Sequence, residues 1–241
     1  MQADKLNRVS QLILGKLPEE ALDLLGKEFA EKIVFSTSFG LEDQAITHII
    51  FSKKIPIKIF TLDTGRLFAE TYFAWSRTRE KYGKNIEAFY PKEEATQQMV
   101  SQKGPNSFYE SVENRLQCCY IRKVEPLQRA LQGNAIWIAG IRKEQSANRN
   151  NLASVEWDDK HQLIKFYPLF HWSFEHLKKY IKENDIPYNS LHDKGFPSIG
   201  CQPCTRAVKD GEDARSGRWW WEDTAKKECG LHIKPKTKNY L

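Results

Sequence analysis

The sequence predicts an α/β protein with a mostly parallel sheet, and three observations carry this. Short β-branched and aromatic runs, at Ile33–Phe35, Ile57–Leu62, 86–90 and Ala135–Ala139, alternate with segments of helical periodicity. Such alternation implies βαβ units, which place strands side by side in parallel. Three of the stretches that follow, Ser36–Gly40, Asp63–Gly65 and Gly140–Arg149, are rich in small or polar residues. Parallel sheets hold their ligands at that carboxyl end.

Taken in order, residues 4–16 carry Leu6, Val9, Leu12 and Ile13 at helical spacing. Pro18, followed by Glu19 and Glu20, reads as a second helix start with acids at the positive end of the dipole. Its buried side would be Leu22, Leu24, Leu25 and Phe29. After the first strand, Leu41–Phe51 returns to helical spacing; residues 67–82 and 119–132 read as further helices. Leu152–Glu156 and Leu163–Tyr167 read as a strand pair around Asp158-Asp159-Lys160. Ser173 is an N-cap for a helix with Phe174, Leu177, Tyr180 and Ile181 on one face. Beyond Pro187 the periodicity fades into a Gly- and Pro-containing segment. It still holds Trp219-Trp220-Trp221 and three of the five cysteines, so it is expected to fold over the ligand end of the sheet.

At 241 residues the chain allows one large domain, or one domain with an appendage. It has 37 basic against 31 acidic side chains, an excess of +6 that fits a small anion as well as a nucleic acid. No run of about 18 apolar residues is present, so no membrane span is expected. The opening residues hold too short an apolar patch for a secretory signal. A cytoplasmic setting with reduced thiols follows as the expectation.

Four of the five cysteines pair up: Cys118-Cys119, and Cys201 with Cys204 in a Gly/Pro turn. The adjacent pair is read as opening the 119–132 helix. Four thiolates suit tetrahedral zinc or an iron–sulfur cluster. Neighbouring side chains hardly converge on one small ion but reach two corners of a cubane more easily, which favours [4Fe–4S]. Cys229 stands apart, close in sequence to Lys226, Lys227 and His232. Cations there favour the thiolate, although the same stretch also reads as an incidental cysteine on a basic tail. Ser36–Gly40 is either an anion-binding turn of hydroxyls and backbone N–H groups or a plain strand–helix turn. Lys123 lies four residues after Cys119, Arg142 and Arg149 flank the loop after the Ala135–Ala139 strand, and Arg215 and Arg218 precede the tryptophan triplet; arginines suit bidentate contacts to phosphate or sulfate.

Together, Ser36–Asp43, Leu62–Gly65, Cys118-Cys119, Gly140–Ser146, Cys201–Cys204 and Glu228–His232 resemble the assimilatory adenylyl-sulfate reductases. These form the iron–sulfur branch of the phosphoadenylyl-sulfate reductase family. The resemblance runs from about residue 33 to 232 and implies a Rossmann-like sheet of the adenine-nucleotide α-hydrolase type, with an irregular C-terminal segment. It implies a nucleotide-binding domain over 1–190 and a segment over 191–241 that brings cluster ligands and the catalytic cysteine onto it. By resemblance, Cys118, Cys119, Cys201 and Cys204 are the ligands of one [4Fe–4S] cluster per chain, and Cys229 is the nucleophile. Ser36, Ser38, Gly40, Lys123, Arg142, Arg215, Arg218 and His232 match substrate-binding positions. The implied reaction is thioredoxin-dependent reduction of adenylyl sulfate to sulfite and AMP through a Cys229 S-sulfonate, toward cysteine. The reductant is expected to be a separate thioredoxin or glutaredoxin. No nucleic acid and no membrane are expected as partners, and homo-oligomerisation is left open. Two alternatives stay open: the same reaction on 3′-phosphoadenylyl sulfate, and an ATP-dependent iron–sulfur tRNA thiolase of the same fold. Against the latter, the loop reads Ser-Phe-Gly where ATP-cleaving relatives carry Ser-Gly-Gly-x-Asp-Ser.

Overall fold

A computed structural model describes residues 2–145 and 153–222. Two N-terminal helices, α1 (Gln2–Ile13) and α2 (Pro18–Glu28), precede the sheet. Pro18 occupies the first turn of α2, where its missing N–H costs nothing, and Glu20 Oε2 accepts the Leu17 N–H at 3.0 Å. The sheet strands are β1 (Ile33–Thr37), β2 (Lys58–Leu62), β3 (Glu87–Phe89), β4 (Ile136–Ala139), β5 (Val155–Asp158) and β6 (Leu163–Phe166). Between and after them run α3 (Leu41–Ser52), α4 (Ala69–Tyr82), α5 (Glu93–Lys103), α6 (Val112–Cys119), α7 (Glu125–Leu131) and α8 (Phe174–Glu183).

The six strands lie in the order β3-β2-β1-β4-β6-β5, all pairings parallel except the β5–β6 hairpin. Alternation along β1 separates two cores. Ile33 and Phe35 face a layer containing Leu22 and Leu25 of α2, Ile46 and Ile50 of α3, and Leu177 and Ile181 of α8. Val34 faces the opposite side, where Leu127 and Leu131 of α7 pack with Phe60 and Trp137. Both faces of β1 and β4 are therefore covered, which is why these strands read as unbroken apolar runs. The chain leaves β1 toward β2 and later enters β4 on the other side, so the topological switch point lies between β1 and β4.

The Rossmann-like parallel sheet is as expected; the sequence analysis predicts no helix at α5, and three local expectations need correction. Helix α5 shows no periodic apolar stripe, because only Met99 in it is buried. Cys118-Cys119 does not open a helix; it closes α6, which starts at the Ser111 cap where Ser111 Oγ accepts the Asn114 N–H at 3.1 Å. The hairpin begins at Val155 and keeps Asp158 inside β5, where its carboxylate accepts from His161 Nδ1 and Lys165 Nζ at 2.8 and 2.7 Å. Phe174 is not part of the buried face of α8. It is 41% exposed and lies under the Arg142 guanidinium, 5.4 Å from its ring centre.

Candidate active site

Strand β1 delivers Thr37 into a tightly bent loop. Thr37 Oγ1 accepts the Phe39 N–H at 3.1 Å, and Phe39 takes a left-handed backbone (φ 61°). Its buried ring stacks on Trp75 at 5.5 Å, so packing holds a conformation that a bulky residue seldom adopts. The Ser38 N–H and Oγ donate to Asp43 Oδ2 at 2.6 and 2.7 Å. A β-carbon on Gly40, the N-cap of α3, would meet nothing nearer than Ser38 Oγ at 3.7 Å. That glycine therefore leaves open space at a helix N-terminus, where an anion is favoured.

Asp43 spans the switch point. Its carboxylate bonds Ser38 on one side and the backbone of Gly140, just past β4, on the other. A β-carbon on Gly140 would overlap Asp43 Oδ1, which explains a glycine there. Burial pushes this carboxyl up from 3.8 to about 7, against the downward pull of the Ser38 and Gly140 donors, with Glu42 adding to the rise. Folding therefore tightens proton binding by Asp43. Its favourable contribution is fully present below pH 3.8 and is lost as pH rises through about 7. In paired thermal melts of wild type and Asp43→Asn from pH 4 to 8, the wild type's Tm relative to the variant should fall as pH rises. A constant difference would contradict this titration.

The other predicted residues at this end are placed as follows. Ser36 Oγ accepts the Trp137 indole N–H at 2.8 Å. Ser38 is exposed at the loop tip. Arg142 is buried and donates through Nε to Glu42 Oε1 at 2.8 Å, so an incoming anion would share it with that carboxylate.

Next to β1, β2 ends in Asp63-Thr64-Gly65. Gly65 needs its left-handed backbone (φ 69°), and its N–H donates to Asp63 Oδ1 at 2.8 Å. Thr64 Oγ1 lies 3.3 Å from Cys201 Sγ, and Arg122 donates to the Thr64 carbonyl at 2.6 Å. These bonds seat a cysteine cavity beside the loop end of the sheet.

Residues 112–131 run as one helix interrupted by a π-turn over Tyr120–Val124, closed by the Glu125 N–H to the Tyr120 carbonyl. Pro126 accounts for it: proline has no N–H to offer the fourth residue back, and its ring crowds that carbonyl, so the helix widens. Arg115, Cys118, Cys119, Arg122 and Lys123 from this stretch line the cavity, and Cys201 and Cys204 close it from the other side. Arg66 joins the wall, with its guanidinium 5.3 Å from the Phe108 ring centre and bonds to Pro105 O and Asn106 Oδ1. Four thiols and four cations thus share one small space, and no carboxylate lines it among the described residues.

Electrostatics distinguish the thiols. Burial pushes the Cys201 thiol up, but Lys123, the Thr64 hydroxyl, Arg218 and Arg122 outweigh it and hold Cys201 below the usual range. Burial, with Cys201 adding, pushes Cys204 up to about 12. Burial likewise raises Cys118 against Arg122.

A zinc ion and an iron–sulfur cluster place different demands on four thiolates. Among the described residues, no three His, Cys, Asp or Glu side chains close on a single ion. Tetrahedral zinc with Zn–S bonds of about 2.3 Å needs sulfurs about 3.8 Å apart. A cubane gives each thiolate its own iron and a wider spread. In addition, the buried N–H groups Arg122 Nε, Arg218 Nε and Trp219 Nε1 have no acceptor among the described residues. Trp219 packs on Cys201 and Cys204, and Arg218 acts electrostatically on both. Sulfide-bearing surfaces are acceptors for such donors, so the residues present fit a cluster better than a zinc ion.

Arg218 is buried over the Trp219 ring at 4.7 Å, and its guanidinium fills the space a β-carbon on Gly200 would need. Arg215 is half-buried on the turn that precedes it. The structure thus gathers Cys118, Cys119, Cys201, Cys204, Lys123 and Arg218 in one place, and Ser36, Ser38, Gly40 and Arg142 at the neighbouring switch point. Cys229 and His232 lie outside the described residues. Sequence reasoning missed Thr64, Arg66, Arg115 and Arg122 at the cavity and the bridging role of Asp43. The spacing 115, 118, 119, 122, 123 is one helical stripe and could have found both missed arginines of the helix.

Comparison with known proteins agrees with this architecture. Residues 32–207 match the family described as the phosphoadenosine phosphosulfate reductase domain. The chain is 50% identical over 217 residues to the adenosine 5′-phosphosulfate reductase of Burkholderia cepacia, covering 89% of this chain and 87% of that protein. It is 47% identical over 238 residues to the enzyme of the same name from Sinorhizobium fredii strain USDA 257, covering 97% and 94%. Among solved structures it resembles phosphoadenylyl-sulfate reductase from Candida auris in a phosphate complex. That match has a TM-score of 0.71 and 28% identity, and covers 84% of this chain and 96% of that one. With the family match spanning most of the described sheet and the cysteine cavity at its ligand end, this chain belongs to the phosphoadenosine phosphosulfate reductase family.

Proposed function

We propose that this chain is an adenylyl-sulfate reductase, an oxidoreductase that converts adenylyl sulfate to sulfite and AMP in assimilatory sulfate reduction. The observation that carries the reading is the cysteine quartet beside the switch-point loop, in a chain whose close relatives bear that enzyme's name. Cys118, Cys119, Cys201 and Cys204 would hold a [4Fe–4S] cluster. Bound there, it would supply a fixed anionic charge and a link between α6 and the 201–204 turn. In this division of the chain, 1–190 binds the nucleotide and 191–241 brings cluster ligands and nucleophile to it.

The chemistry falls to the chain's own residues. The Cys229 thiolate attacks the sulfur of adenylyl sulfate, forming an S–S bond. The sulfur–oxygen bond to phosphate breaks and AMP leaves with the electron pair. A thiol of thioredoxin or glutaredoxin then attacks Cys229 Sγ and releases sulfite, leaving a mixed disulfide. The second thiol of that reductant displaces Cys229 as thiolate, so the reductant ends as its disulfide and the two electrons balance. AMP is a good leaving group, so the protein's main task is to orient the reactants and offset their like charges. Ser38 and Gly40 would seat the phosphate, while Lys123, Arg142, Arg215, Arg218 and His232 would shield the sulfo group from repelling a thiolate. The setting is cytoplasmic, in keeping with reduced thiols. Among the described residues no helix is long and apolar enough to cross a membrane.

Side-by-side kinetics with adenylyl sulfate and its 3′-phosphate, with thioredoxin supplied, test this reading. kcat/KM should favour adenylyl sulfate by about tenfold or more, a difference of about 1.4 kcal/mol. A preference for the 3′-phosphate would assign the other substrate. Turnover with ATP and tRNA would overturn the reaction class.

A further inference from the structure

One buried charge pair is left over by this mechanism. Arg115 lies on α6 one turn before Cys118, and its side chain is 1% exposed. Its guanidinium grips Glu222, 4% exposed, through Nε–Oε1 at 2.9 Å and NH2–Oε2 at 2.7 Å. The partners are 107 residues apart in sequence. The Arg115 guanidinium also lies over the Trp219 ring, 4.9 Å from its centre, and the Trp219 backbone N–H donates to the Cys204 carbonyl at 3.1 Å. Trp219 holds a left-handed backbone (φ 43°), which a bulky residue keeps only where its surroundings over-determine it. The Glu222 N–H closes the turn onto the Trp219 carbonyl at 2.9 Å.

A buried ion pair is a poor way to gain stability. Desolvating both charges offsets most of their attraction, and apolar side chains of similar volume often do as well. What a forked, bidentate pair supplies is a single geometry. Here that geometry fixes where the chain leaves the cysteine cavity. Cys229 follows Glu222 by seven residues, a reach of at most about 25 Å when fully extended. We propose that Arg115 and Glu222 are a positioning pair that anchors the root of the C-terminal segment to the cysteine helix and so sets the delivery of Cys229 to the substrate sulfur. The inference rests on Cys229 being the nucleophile.

The test uses the full, cluster-loaded chain with Glu222→Gln. A nucleophile displaced by about 1 Å can lose about 10²-fold in rate. The single-turnover rate of Cys229 S-sulfonate formation, read by mass spectrometry, should fall about ten- to a hundredfold. KM for adenylyl sulfate should stay within about twofold, because the pair does not line the switch-point loop. Iron content and visible absorption should match wild type. Glu222→Asp keeps the charge on a shorter arm and should show the same split at a smaller size. It also serves if the first variant does not fold. An unchanged single-turnover rate would overturn the proposal. So would a loss of rate that merely tracks loss of iron and of Tm in both variants, since that marks a purely structural pair. A Cys229→Ser control separates the two ideas: if that chain still forms sulfite, the nucleophile reading fails, whatever the pair does.

Discussion

Cys229→Ser is expected to abolish sulfite release, by about 10³-fold or more, while leaving the protein's colour and iron content intact. A free thiol is already a few per cent thiolate at neutral pH, whereas a serine hydroxyl without a partnered base is essentially un-ionised and a weak nucleophile. Serine also cannot form the sulfur–sulfur bond that thioredoxin later cleaves, so both halves of the cycle stop. Cys229 is not one of the four cysteines proposed as cluster ligands, so its replacement is expected to remove no ligand. Sulfite assays with thioredoxin present, alongside intact-mass measurement after incubation with adenylyl sulfate, check this. The wild type should carry an added SO₃ and the variant none. Near-normal activity in the variant would move the nucleophile elsewhere.

Cys201→Ser should do the reverse and lose colour, iron and activity together. Cys201 is buried, touches Thr64 Oγ1 and packs with Phe108, Cys204 and Trp219 in a core separate from those of the sheet. That small core joins the 201–222 segment to α6, and it is where cluster binding would add to folding free energy. A loss of about 3 kcal/mol corresponds to a Tm lower by roughly 6–12 °C for a chain of this size. Iron analysis, absorbance at about 400 nm and thermal melts measure all three losses. Retention of full iron content by Cys201→Ser would remove Cys201 from the ligand set. One bound zinc per chain in place of iron would replace the cluster altogether.

The two variants would separate the sulfurs by role; the grouping of Cys118, Cys119, Cys201 and Cys204 was legible in the sequence. Cys118-Cys119 and Cys201-x-x-Cys204 are local patterns, as are the Ser36–Gly40 turn and the β-branched runs that became β1, β2 and β4. Such features depend on spacing along the chain, which a sequence displays directly. Elements with a weak apolar pattern were harder to see. Helix α5 buries only Met99, and α6 is mostly polar with its start marked by the Ser111 cap alone. Its placement moved the adjacent cysteines from the start of a helix to the residues just before the π-turn of a continuous one.

By itself the sequence determined the α/β class, the strand–helix alternation of the parallel sheet and the pairing of four cysteines. Hydrophobic period, turn chemistry and cysteine pairing are encoded within short windows. Only the tertiary structure decided which charges meet. Thr64 reaches Cys201 across 137 residues, Arg142 turns to Glu42 across 100, and Arg115 closes on Glu222 across 107. Asp43 lies only five residues from Ser38, yet it also bonds Gly140 across the strands. Long-range polar partners follow from strand order and helix docking. Burial then makes each such contact obligatory, because a charge taken out of water must find its opposite or a set of donors.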